Sequence, residues 1–186
     1  LMRKALILIL LTFTMKILAS EQDIYIPFTE ESAKHWQYIS DRTMGGVSDG
    51  KAIIEKDGEI FFARLIGNVS TKNNGGFIQL RSRLSFVNLE RNQKTPKGIR
   101  INVRGNGEVY HIFIQTNQAK SYRDYYSISF DANPDWQLVD LPFNKFKHKL
   151  SNDLNLESKN IRTFGIVAYG RDFISDVSVS DITFYY

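Results

Sequence analysis

From residue 21 onward the chain never sustains the apolar stripe of an amphipathic helix. Short segments of alternating apolar and polar residues are instead cut apart by Gly, Asn, Asp and Pro. Successive side chains of a strand point to opposite faces, so this pattern predicts half-buried strands joined by turns. Strands are expected at 60–66, 77–84, 99–104, 109–116, 125–130, 136–141, 162–169 and 177–185. In the third of these, Ile99, Ile101 and Val103 share one face while Arg100, Asn102 and Arg104 share the other. In the fourth, Tyr110, Ile112 and Ile114 form a wholly apolar face. Gly105-Asn106-Gly107 between them suits positive φ and predicts a tight hairpin, and Asn133-Pro134-Asp135 predicts a turn. Residues 88–97 and 147–160 lack periodicity and read as longer surface loops. The expectation is one all-β domain, an antiparallel sandwich over residues 21–186.

Residues 1–20 are of another kind. Arg3 and Lys4 precede an apolar run that begins at Ala5 and is broken at Lys16, and Ala19 and Ser20 supply small residues for cleavage. This is the layout of a secretory signal, and the run is too short for a stable membrane span. An exported protein, periplasmic or secreted, is expected. Without this segment the formal net charge falls from +4 to +1, because Arg3, Lys4 and Lys16 leave with no acidic residue. Nucleic-acid binding then lacks the concentrated positive field it needs. The chain has no cysteine, so no disulfide or thiol chemistry enters.

Enzyme signatures are missing. His35, His111 and His148 are widely separated and none has metal-ligand spacing. Ser48 lacks the glycine context of a nucleophile elbow, and no phosphate-binding or dinucleotide loop occurs. Asp131-x-Asn133-x-Asp135 opens like a calcium loop, but Trp136 and Pro142 stand where its glycine and bidentate glutamate belong. No catalytic residue, metal or cofactor is assigned, and a binding protein is expected.

Two glycine-rich stretches are the most distinctive. The first runs from Asp41 through Arg42-Thr43-Met44-Gly45-Gly46-Val47-Ser48 to Gly50, preceded by Trp36. Its glycines permit unusual backbone angles, Asp41 can accept backbone hydrogen bonds, and Met44 and Ser48 can present a contact surface. The second is Asn74-Gly75-Gly76-Phe77, after which alternation sets Phe77, Gln79, Arg81 and Arg83 opposite the core-directed Ile78, Leu80 and Leu84. If this strand pairs in one sheet with 99–104, Gln79, Arg81, Asn102 and Arg104 form one surface suited to a glycan or an acidic partner. Gly45, Gly46, Gly75, Gly76, Gly105 and Gly107 are expected to serve turns. Tyr122, Tyr125 and Tyr126 could add rings for sugar stacking, with Tyr125 and Tyr126 facing opposite ways.

These elements, with Trp136 to Phe146 around Leu141-Pro142-Phe143 and with Phe164-Gly165-Ile166, resemble the complex I intermediate-associated protein 30 family in order and spacing. The resemblance covers nearly all of the chain after residue 20, although Asn106 stands where the family's Gly-Asp-Gly element has aspartate. It implies a galactose-binding-domain-like jelly roll, as in many carbohydrate-binding modules. It also implies a protein partner, since mitochondrial members hold intermediates of respiratory complex I. The amino terminus lacks the Arg- and Ser-rich character of a mitochondrial transit peptide. A protein partner or assembly intermediate is thus the first expectation, an envelope glycan the second and an uncharacterised enzyme the third.

Overall fold

A computed structural model describes residues 23–91 and 93–186; the expected signal segment lies outside them. The strands are β1 (Ile24–Pro27), β2 (Trp36–Ser40), β3 (Asp49–Asp57), β4 (Ile60–Val69), β5 (Phe77–Arg83) and β6 (Gly98–Gly105). They continue as β7 (Glu108–Thr116), β8 (Tyr126–Ala132), β9 (Gln137–Pro142), β10 (Lys147–His148), β11 (Ile161–Tyr169) and β12 (Phe173–Tyr185). Short 3₁₀ turns are the helical elements among the described residues. The first sheet has the order β3-β4-β12-β6-β9, with β1 also on β12, and the second the order β10-β8-β7-β11-β5-β2. Every pairing is antiparallel.

The core is the seam between the sheets. Ile99, Ile101 and Val103 of β6 meet Val177, Val179, Ile182 and Phe184 of β12 on one side. Ile78 and Leu80 of β5, Tyr110, Ile112 and Ile114 of β7, and Phe164 and Ile166 of β11 cover them from the other. Each fully buried aliphatic or Phe side chain contributes about 1.5–3 kcal/mol of transfer free energy. The expected phase of β5, β6 and β7 is the observed one.

The expected hairpin at 105–107 is instead a corner. β6 lies in the first sheet and β7 in the second, so Gly105 to Gly107 carries the chain across the sandwich. The corner is held by the Tyr110 hydroxyl, which donates to Asn106 Oδ1 at 2.7 Å and accepts from the Asp176 amide at 2.8 Å. The 133–135 turn crosses back from β8 to β9 in the same way. Alternation of sheets along the chain is what makes this a jelly roll rather than a meander.

Candidate functional site

The two glycine-rich stretches meet on one buried carboxylate. Asp41 and Ser48 are both 0 % exposed. Asp41 Oδ1 accepts the Ser48 amide at 2.9 Å, and Oδ2 accepts the amides of Gly76 at 2.6 Å and Phe77 at 3.2 Å. The Ser48 hydroxyl donates to Oδ2 and accepts the Ser70 amide at 2.9 Å. Gly46 and Gly75 leave room for this group, since a Cβ on either would come within 2.5 Å of the Asp41 side chain. Gly76 is held at φ +123°, a conformation that L side chains rarely adopt. Burial disfavours the charged Asp41, but the bonds from Gly76, the Ser48 hydroxyl, Phe77 and the Ser48 amide outweigh it and hold the carboxyl below its ordinary value.

This knot anchors one rim of a groove of ≈ 550 Å³ on the outer face of the second sheet. Its floor comes from outward-pointing residues of β5, β7 and β11: Phe77, Gln79, Arg81, Phe113, Gln115, Thr163 and Tyr169. Tyr169 stands opposite Phe77 across the β11–β5 ladder, Val167 opposite Gln79, and Gly165 opposite Arg81. Gly165 has no side chain opposite Arg81, and the Gln79 amide takes that space, since a Cβ there would touch Gln79 Oε1 at 3.0 Å. Met44 and Asn74 form the rim above the knot. On the far side stand Tyr122, Arg123, Tyr125, Lys149 and Leu150.

Aromatic rings make a continuous wall. Phe113 stacks on Tyr125 with centroids 4.2 Å apart and meets Tyr169 edge-on at 5.2 Å. Burial, and after it the neighbouring Tyr169, pushes the Tyr125 phenol up, so it stays a neutral hydroxyl. The 120–124 loop behind the wall is fixed from two sides. Gln115 Nε2 donates to the carbonyls of Ser121 and Asp124 at 3.2 and 3.4 Å. His148 Nδ1 accepts the Leu150 amide at 3.3 Å, which leaves the proton on Nε2 to reach Asp124 Oδ1 at 2.8 Å.

Two polar groups on the floor have no partner. Gln79 is 9 % exposed, yet its side-chain amide makes no hydrogen bond among the described residues. Arg81 is half-buried and makes no ion pair or hydrogen bond among the described residues. Burial, and then the charges of Arg83 and Arg162, lower its proton affinity. Among the described residues the groove lining contains no carboxylate and no histidine.

Residues 26–176 match the profile of the family described as Complex I intermediate-associated protein 30. The chain belongs to that family. No curated protein sequence matches it. Among solved structures it is similar to the family 11 carbohydrate-binding module of Clostridium thermocellum in complex with a β-1,3-1,4-mixed-linked tetrasaccharide. The TM-score is 0.67 at 14 % identity, over 88 % of this chain and 95 % of that one. A family 30 carbohydrate-binding module gives a TM-score of 0.56 at 13 % identity, over 80 % and 82 % of the two chains. The agarase AgWH50C gives 0.56 at 9 % identity, with 87 % of this chain covering 24 % of that enzyme. At such identities the likeness establishes the jelly-roll fold and nothing finer.

Within this complex I intermediate-associated protein 30 fold, the expected contact residues separate into groups. Met44, Phe77, Gln79 and Arg81 gather in the groove, and Met44 is 47 % exposed. Ser48 and Asp41 do not: both are sealed inside the knot, which corrects the expectation that Ser48 presents a surface. Trp36 is also structural, packed with its ring 4.8 Å from Phe28 and 6.1 Å from Phe164. Asn102 and Arg104 sit on the other side of the molecule, because β6 and β5 belong to different sheets. There Asn102 donates to Ser180 Oγ at 2.8 Å, and Arg104 pairs with Asp57 at 3.4 Å while lying over Trp136 and Phe62. Tyr125 and Tyr126 do face opposite ways, the first into the groove and the second into the core. Sequence reasoning passed over Phe113 and Tyr169, although both stand at the outward phase of strands whose inward phase is apolar. Arg123 and Lys149 come from loops and carry no periodic signal.

Proposed function

We propose that this member of the complex I intermediate-associated protein 30 family is a non-catalytic binding protein, exported by residues 1–20, that holds a carbohydrate chain in the groove of the second sheet. The observation that carries this is the floor: half-buried rings of Phe77, Phe113 and Tyr169 beside the groove-facing amide of Gln79, which has no partner among the described residues. Sugar rings present apolar C–H faces to aromatics and hydroxyls to amides, so the two kinds of group together match one ligand. The volume falls within the usual span for small-ligand sites of roughly 300–1,000 Å³. The similarity to a carbohydrate-binding module in complex with a tetrasaccharide supports the same reading. Electrophoresis through gels containing soluble glycans tests it: the chain should be retarded by at least one glycan, and Tyr169→Ala or Gln79→Ala should restore free migration. Unretarded migration in neutral and acidic glycans alike would refute it.

A second reading, capture of a protein partner, is favoured by the family and by the rim. Met44, Tyr122 and Leu150 are 47 %, 63 % and 61 % exposed, and an adaptable thioether facing apolar side chains across a groove suits a protein contact. Cross-linking in the native envelope separates the two, since Met44→Ala should lower partner yield only under this reading.

A further inference from the structure

The charges on the two outer faces are arranged differently. On the first sheet Arg64 makes a two-pronged contact with Asp176 at 2.8 Å for each nitrogen, Arg100 reaches Asp140 at 2.6 Å, and Arg104 reaches Asp57 at 3.4 Å. On the second sheet the groove holds Arg81, Arg123 and Lys149, and none of the three makes an ion pair among the described residues. Arg123 lies over the Tyr122 ring at 5.5 Å and Lys149 over the Tyr169 ring at 5.9 Å, contacts that leave their charge unneutralised. Desolvating a cation without a partner is costly, and here the nearest named charges, Arg83 and Arg162, are of the same sign. A guanidinium presents a planar fork of N–H donors that matches an oxyanion. Beside that fork in the groove lies the Gln79 amide, without a partner among the described residues.

We propose that the ligand of this groove is an anionic carbohydrate, a saccharide bearing carboxylate or sulfate groups. Arg81 receives the oxyanion, Gln79 a hydroxyl, and Tyr169 with Phe77 the face of a neighbouring sugar. Arg81 and Phe77 are four residues apart on β5, about 13 Å along the strand, which leaves room for more than one pyranose ring between them. Arg123 and Lys149 on the opposite wall add positive potential over the same path. This proposal rests on the glycan reading and narrows it to one chemical class.

The test is titration calorimetry of the full chain with four oligomers: a polyuronate, a sulfated galactan, a neutral mixed-linked β-glucan and oligoglutamate. One of the two acidic glycans should bind about 10-fold or more tightly than the neutral one, and which of them does so identifies the anion. Arg81→Gln should abolish that preference. Arg104→Gln, which removes the same charge from the other face, should leave it intact. If Arg81→Gln fails to fold, Arg81→Lys takes its place: full affinity with a lysine there would count against a guanidinium site. Equal binding of neutral and acidic glycans would overturn this inference and leave the glycan reading standing. Binding of no saccharide would remove both. Oligoglutamate bound as tightly, with the same dependence on Arg81, would show that the groove takes an acidic peptide instead.

Discussion

The outer faces of the two sheets are built from similar strands and similar residues, yet one is closed upon itself and the other is open. On β4, β6 and β12 each half-buried arginine has its carboxylate, and Phe62 and Trp136 are covered by Arg104. On β5 Arg81 and Gln79 have no partner among the described residues, and with the rings of β5, β7 and β11 they line a groove. An arginine on a strand therefore says little until its neighbours are known. The first face uses charge for internal pairing, while the second keeps hydrogen-bonding capacity for something outside the chain.

The largest effect expected from challenging this contrast is at the rim that holds the open face in shape. Asp41→Ala strands three buried amides and a hydroxyl, and should cost about 3 kcal/mol or more in urea denaturation. The same group gives a pH dependence. Because its folded value lies below that of an unfolded aspartate, about 3.9, its stabilisation is present above that value and is lost as pH falls through the folded one. Asp41→Asn should remove that part of the acid-induced loss of stability. If Asp41→Ala melts like wild type, the rim is independent of the knot. Next comes Gly76→Val, which forces a β-branched residue to φ +123° and should lower stability by about 1–3 kcal/mol. Here the cause is the backbone angle and not space, since the nearest atom to a Cβ would be Thr71 Cγ2 at 3.4 Å.

The two arginines then test the contrast directly. Arg64→Gln breaks a partly exposed pair and leaves Asp176 and Glu55 without their cation, so thermal melting should report a loss of about 1 kcal/mol. Arg81→Gln removes a charge with no internal partner and should stay within about 0.5 kcal/mol of wild type, or gain slightly. Equal losses at the two positions would mean that the faces do not differ in the way described.

How much of this was legible in the sequence depends on where a strand sits. Central strands such as β6, β7 and β11 announce themselves, because burial of one face enforces strict alternation. Absent from the sequence reading are β1, β2, β3 and β10, each of which pairs with a single neighbour. Such strands are often kept short or charged, as in two-residue β10 and in Lys51, Glu55, Lys56 and Asp57 of β3, whereas β9, which also pairs with a single neighbour, kept enough alternation to be expected. Alternation also fixed the phase of Gln79 and Arg81 but not their sheet, so Asn102 and Arg104 were joined to them wrongly. The glycine motifs were readable as turns. That they close around the same carboxylate was not, because Asp41 and Gly76 are 35 residues apart and only the folded chain brings them together.

The position of β12 has a consequence for how the chain can be made. It comes after all of its partners in the sequence, yet it lies between β4 and β6 and also holds β1. Until Phe173 to Tyr185 has left the ribosome, β4 and β6 each present a bare edge with an apolar flank. Contacts such as Ile24 with Phe184 close a very long loop, which favours slow assembly. Before β12 is available the chain can hold the β3–β4 and β6–β9 pairs but not the strand that joins them into one sheet. A fragment ending before Phe173 would be left in that condition and should aggregate.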